Sequence, residues 1–217
     1  MTSRNVDQQQ ALLDRVSSIL AGRLNARRAR LAENYVTNYF RGVPLDDLVQ
    51  EAPATLATIV SNQLDFLQVR SPGETLIRIF NPRLESDGWE SKHTIIEMVN
   101  DDMPFLVDTA TLTFAEMKLG VHLIIHPVMR MKRDDDGRLV SIYIRKKQLG
   151  HAESLMQFQV DRRTRDEDLA DIERRLRAAF SDTRMAVSDW RAIEKKASDA
   201  RKNMVAWAPQ LDKDLVQ

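Results

Sequence analysis

With 217 residues, 43% of them apolar and 29% charged, the chain is long enough for one sizeable domain, or one domain with helical extensions, and has a globular balance. Thirty-two basic residues offset 32 acidic ones, which argues against a dedicated binder of nucleic acid or of anionic membranes. With no cysteine, disulfides, thiolate zinc sites and cysteine nucleophiles are excluded. The first ten residues, MTSRNVDQQQ, lack the apolar core of a signal peptide, so a cytoplasmic location is expected. No apolar run approaches the roughly 18 residues of a membrane span. Seven glycines occur without a G-x-G-x-x-G or G-x-x-x-x-G-K pattern, so no nucleotide-phosphate cradle is expected.

Leu12, Val16, Ile19, Leu20, Leu24, Leu31 and Tyr35 recur at helical spacing and predict a helix over 8–40, broken by Gly42-Val43-Pro44. A short helical turn follows at Leu45 to Val49, with Asp46 and Asp47 near its start. Another helix spans 53–68, closed by Ser71-Pro72-Gly73. Leu76 to Phe80 reads as a strand. Asp87-Gly88 marks a turn, and His93 to Val99 reads as a second strand placed for antiparallel pairing with the first.

A one-faced helix is predicted over 104–119 on Leu106, Val107, Ala110, Phe114 and Met117, with Gly120 as its C′ residue. Val121 to Met131 reads as a strand, Asp134-Asp135-Asp136-Gly137 as a tight turn, and Leu139 to Arg145 as the hairpin mate. Ser154 to Val160 alternates as a half-buried strand. Thr164-x-x-Glu167 is a capping box opening a helix over 165–180. A further helix over 183–206 carries a narrow seam of Val187, Trp190, Ile193, Ala197, Ala200 and Met204.

This order predicts an α+β fold: a ferredoxin-like antiparallel sheet with helices on one face and helical extensions at both ends. No closing strand follows Phe180, so strand 75–81 is expected to close the sheet beside strand 93–100, a circular permutation. The divisions expected are a helical segment at 1–72, the α+β domain at 73–181 and a C-terminal helix at 182–217.

Candidate sites are few. Asn100-Asp101-Asp102-Met103-Pro104-Phe105 lies between a strand and a helix, where adjacent acids serve as catalytic groups, ligands or caps. Asp102 is placed as an N-cap or next to one, with Pro104 in the first turn. His122 and His126, four apart on one strand, lie about 13 Å apart, too far to share an ion, and His93 can join only one of them. Asp134 to Asp136 lacks the glutamate of a calcium loop and reads as a turn. No G-x-S-x-G elbow occurs, and His151 and Ser154 have no acid at a recognisable spacing. Arg23, Arg27, Arg28 and Arg30 read as a solvated helix face rather than a nucleic-acid contact.

The runs LIRIFNPRLESDGWESKHTIIEMVNDDMPFLVDTATL, GVHLIIHPVMRMKRDDDGRL and SLMQFQVDRR resemble the N-terminal region of the large bacterial NAD-specific glutamate dehydrogenases. The stretch NYVTNYFRGVPLDDL resembles the segment before the first ACT-like domain of that family, so the resemblance covers nearly the whole chain. It implies a regulatory or assembly module, joined to other domains of the same chain and forming homo-oligomers through the parent. NAD, the Rossmann loop and the catalytic lysine pocket would lie elsewhere in that parent. The resemblance also implies a possible amino-acid ligand at the corner formed by Asn100, Asp101, Asp102, Met103, Pro104 and Phe105, where ACT domains often read Asp-x-Pro-Gly. Phe105 stands at the glycine of that pattern. Capping with core packing is the stronger reading of the corner, and ligand binding the alternative.

Overall fold

The structure, a computed structural model, describes residues 3–144 and 149–214. Two helices replace the single one predicted over 8–40: α1 (Ser3–Arg23) and α2 (Ala26–Tyr39). Asn25 separates them in extended conformation, its side chain accepting from the Arg28 amide at 3.0 Å. An N-cap inside an amphipathic run thus restarts the helix in a new direction. The turn α3 (Leu45–Leu48) and the helix α4 (Pro53–Phe66) follow as expected, α4 with proline in its first turn.

Strand β1 (Leu76–Phe80) is followed by the single turn α5 (Leu84–Asp87), which Gly88 ends at φ 73°. A helical turn therefore stands where Asp87-Gly88 predicts a simple reversal. Strand β2 (Thr94–Asp101) pairs antiparallel with β1, Leu76 opposite Val99 and Phe80 opposite Ile95. Helix α6 (Leu106–Glu116) starts later than expected. It ends in a Schellman closure on Lys118, not Gly120. Leu119 N–H donates to Phe114 O at 2.9 Å and Lys118 N–H to Ala115 O at 3.0 Å, with Lys118 at φ 53°. Gly120 instead ties the chain to the end of the sheet. Its N–H donates to Asp161 at 2.8 Å, and a Cβ there would meet that carboxylate at 3.0 Å.

The strand predicted over 121–131 is interrupted at His126-Pro127, giving β3 (Val121–Ile125) and β4 (Val128–Arg133). Proline lacks the donor a central ladder needs, yet both pieces pair with one strand, β6 (His151–Val160). Between β4 and β6 in sequence, β5 (Leu139–Tyr143) forms the expected hairpin with β4; Arg145 of the predicted mate lies outside the described residues. Gly137 shapes that turn at φ 76°, and a Cβ there would sit 2.6 Å from the Arg70 carbonyl oxygen.

The sheet order is β1-β2-β6-β4-β5, with β3 also on β6. With β3 and β4 taken as one broken strand, β6 lies between it and β2. The crossover from β2 through α6 therefore spans β6, and β1 takes the closing edge. This is the permuted ferredoxin-like sheet expected from sequence, with β5 as an added edge. The last helix, α7 (Asp166–Asp214), is continuous where two helices are predicted. Thr183, where the second is predicted to begin, lies inside it, its hydroxyl bonding to Ala179 O within the helix and to the Thr109 hydroxyl on α6. Arg165, not Thr164, precedes its first turn, its carbonyl accepting from Asp168 and Leu169.

Helices α6 and α7 cover one face of the sheet. Leu106, Ala110 and Phe114 meet Ile172, Leu176 and Phe180 over Ile96, Met98, Met156 and Phe158. The opposite face is not open to water. Val16, Leu20, Tyr35, Val36, Leu56, Val60 and Leu64 from α1, α2 and α4 pack there on Val99, Leu155, Met129, Met131 and Ile142. Strand β6 is therefore buried on both faces, where alternation predicts a half-buried strand. The result is three layers, helix, sheet and helix.

Candidate functional site

The corner after β2 is a junction of charged side chains. Asp101 accepts from Arg70 at 2.5 Å and from the Gly73 amide at 3.1 Å, and Arg184 on α7 lies 3.6 Å away. Arg70, 2% exposed, also reaches Glu153 on β6 at 3.4 Å and bonds the Glu74 carbonyl. Glu153, equally buried, receives two bonds from Arg133 on β4, at 2.7 and 2.9 Å. Each buried cation thus faces a carboxylate, the condition under which such charges are tolerated. Gly137 closes the arrangement, its carbonyl accepting from Arg133 and from the Arg70 amide.

The neighbours of Asp101 are engaged as well. Asn100 accepts from Thr75 at 2.8 Å and from Arg184, and its own amide donates to the Asp101 carbonyl. Asp102 accepts from the Ser154 hydroxyl at 2.7 Å, and its backbone N–H donates to Ala152 O. It does not cap α6. The residue at the N-cap is Phe105, at φ 71° and without a side-chain capping bond. Its backbone adopts the left-handed conformation that glycine favours, and the residue is 65% exposed. Met103 packs at the edge of the α6–α7 core, and Pro104 lies in the turn before α6. Sequence reading places the acids at this corner but not Arg70, Arg133, Glu153 or Arg184, which are remote along the chain.

A second polar cluster joins the N-terminal helices to the sheet. Gln63 on α4 shares its amide hydrogens among the Tyr39 hydroxyl, Gln157 and Glu97, and accepts from the Tyr35 hydroxyl at 3.0 Å. Tyr39 also donates to Gln157 at 2.7 Å. Burial raises both tyrosines well above their ordinary values, so they stay protonated donors. Burial likewise pushes the Glu97 carboxyl up, against the opposing pull of Arg78, which bonds it while lying over the rings of Phe66 and Phe80.

Beside this cluster a groove of about 1010 Å³ runs between the α2–α3 connection and the sheet, lined among others by Tyr39, Trp89, His93, His122 and Gln157. The His93 and His122 rings stack at 4.2 Å, so of the two β3-region histidines His93 joins only His122. His122 bonds Asp161 at 2.8 Å. Burial, then the neighbouring His122, lowers the His93 pKa, and burial lowers that of His126. Trp89 Nε1 is buried without a hydrogen-bond partner among the described residues. No cluster of three or more histidines or carboxylates suited to a metal occurs among the described residues. No helix among them is long and apolar enough to cross a membrane. Asp134 caps its turn by accepting from the Asp136 and Arg138 amides, and Arg28 pairs with Asp65 at the surface.

Residues 35–176 match the family model described as glutamate dehydrogenase, ACT1 domain. The NAD-specific glutamate dehydrogenase of Halomonas elongata is 30% identical over 210 residues, which cover 94% of this chain and 13% of that protein. The protein of the same name from Pseudomonas aeruginosa is 26% identical over 167 residues, 76% of this chain and 10% of its own length. The chain thus spans only about a tenth of the curated relatives it matches. No solved structure matches it. The family model spans more than half of the chain, which therefore belongs to the glutamate dehydrogenase ACT1 domain family.

Proposed function

We propose that this chain is a non-catalytic regulatory and assembly domain of a large cytoplasmic NAD-dependent glutamate dehydrogenase. The parent would convert L-glutamate, NAD and water to 2-oxoglutarate, ammonium and NADH. One observation carries the reading: in a chain of this family, the acids and arginines of the βα corner are spent in mutual pairing that fastens β2, β4, β6 and α7. Such a cluster holds elements in register, with Asp101, Glu153 and their arginines engaged with one another. In this reading NAD and the catalytic groups sit in other parts of the parent, and the partners are its other domains and further copies.

The test compares the full-length enzyme with one lacking this region. The 217-residue chain alone is expected to form no NADH from glutamate. Removing the region from the parent is expected to change its assembly mass or its response to effectors. Unchanged mass and unchanged kinetics after removal would overturn the proposal.

The second reading is an amino-acid ligand at residues 100–106. It is favoured by the glycine-like backbone of Phe105, a mostly exposed residue. Calorimetric titration with a panel of amino acids tests it. Neither heat nor a thermal shift at millimolar concentrations would end it for this chain.

A further inference from the structure

Beyond Val187, which is buried, α7 runs clear of the body. Among the side chains described there, Trp190 is 67% exposed, Ile193 60% and Met204 71%, with Ala197 and Ala200 also exposed. They fall in a heptad register, Trp190, Ala197 and Met204 at a, Ile193 and Ala200 at d, the spacing of a coiled-coil seam. In that register Glu194 and Arg201 occupy e, while Asp189, Lys196 and Asn203 occupy g.

We infer that α7 is a self-association helix: two copies of this chain pair antiparallel through the Ile193–Ala197–Ala200–Met204 seam. The inference rests on the assembly reading above and supplies its contact. The flanking charges select the partner and its direction. In a parallel pair, Asp189 faces the partner's Glu194 and Lys196 faces the partner's Arg201, like against like at both positions. In the antiparallel pair e faces e and g faces g. With Ala197 set opposite the partner's Ala200, Glu194 meets the partner's Arg201, and twofold symmetry repeats the pair. Lys196 then meets the partner's Asn203 without conflict.

Sliding by one heptad one way sets Glu194 against the partner's Glu194 and Lys196 against the partner's Lys196. Sliding the other way sets Arg201 against the partner's Arg201. Of these three registers only the first escapes like-charge contact, which is specificity by repulsion of the alternatives. The apolar side chains agree with it. Ile193 lies opposite the partner's Met204, and the central alanines let the helices approach at the short end of the usual range, about 8 Å.

Sedimentation velocity of the 217-residue chain is expected to show a monomer–dimer equilibrium that shifts with dilution. Glu194→Lys or Arg201→Glu alone places like charges at both ends of the seam and is expected to weaken dimerisation about tenfold. The double reversal E194K/R201E is expected to restore it to within about threefold. Within one helix the two residues stand about 10 Å apart along the axis, so the rescue cannot arise inside a single chain.

Direction is read by disulfide trapping in this cysteine-free chain. Ile193→Cys alone is expected not to link to itself, because in the antiparallel pair the two thiols lie about 16 Å apart along the axis. Mixed with Met204→Cys, it is expected to form the mixed disulfide. All four positions are exposed, so an unchanged circular dichroism spectrum and Tm separate loss of association from loss of folding. A chain monomeric at every concentration overturns the inference, as does a dimer indifferent to the charge reversals or self-linked through Ile193→Cys. Neither result touches the loss-of-region test on the parent enzyme.

Discussion

Phe105 and Lys118 are the two non-glycine residues at positive φ among the described residues, and they bracket α6. An L side chain in that region costs about 1–2 kcal/mol. Replacing Lys118 by glycine keeps both Schellman bonds and removes the strain, so Lys118→Gly is expected to raise stability by about 1 kcal/mol, offset in part by glycine's greater unfolded freedom. Phe105→Gly should behave alike, since Phe105 is mostly exposed. Urea midpoints check both, and a lower midpoint would mean the lost side chain makes a contact worth more than the strain. The ion-pair junction gives the opposite sign. Glu153 is fully enclosed and serves two buried guanidiniums, so Glu153→Gln is expected to cost about 3–5 kcal/mol. Asp101→Asn should cost clearly less, because Asp101 is 46% exposed and Arg70 keeps Glu153. Denaturant titrations of the two variants order them.

Among the elements, α7 is two things in one helix. Up to Val187 it buries Ile172, Leu176 and Phe180 against α6 and the sheet, and Phe180→Ala is expected to cost about 3–5 kcal/mol. Truncation after residue 188 should leave the urea midpoint of the body nearly unchanged, since the side chains described beyond it are exposed. A large drop would show that the distal part packs on the body. The strands and their pairing were legible because hydrophobic periodicity and turn chemistry agree over Leu76–Phe80, Thr94–Val99 and Leu139–Tyr143. Three features misled. Asn25 is one polar residue in a long amphipathic run, and its capping role depends on backbone angles. The helix predicted over 183–206 does not start afresh, because Thr183 finds partners inside the continuous helix and on α6. Strand β6 alternates as though one face were wet, yet its polar positions Ser154 and Gln157 are buried with partners, Asp102 for one and Tyr39 and Gln63 for the other. What hides the ion-pair junction is distance along the chain: Asp101 lies 31 residues from Arg70, and only folding brings them together.

The N-terminal helices and the sheet are expected to unfold as one unit, because they share a core and the Gln63–Glu97–Gln157 cluster pins them together. Glu97 gives this junction a pH signature. Its carboxyl is raised above the ordinary 4.5 by burial, so the folded state holds a proton that the unfolded chain has already released. The group's contribution is therefore most favourable below that value and declines as pH rises through the folded one. Against the unsubstituted chain, Glu97→Gln is expected to gain relative stability as pH rises above the ordinary 4.5 and through the raised folded value, read from urea midpoints across a pH series. A constant difference would show that Arg78 fully offsets the burial.

Because β1 closes the sheet from the N-terminal side, the last helix of the ferredoxin-like unit has no return strand to feed and is free to run on. From Val187 to Met204 it extends about 26 Å at the helical rise. Rooted in the core by Phe180 and tied to β2 through Arg184, it has the geometry of a lever with its fulcrum at the sheet. A tilt of about 10° at the root, small enough for a packed interface to absorb, moves the tip by about 4–5 Å. A slight rearrangement around Asn100 and Asp101 would, at the far end, become a displacement comparable to one turn of helix.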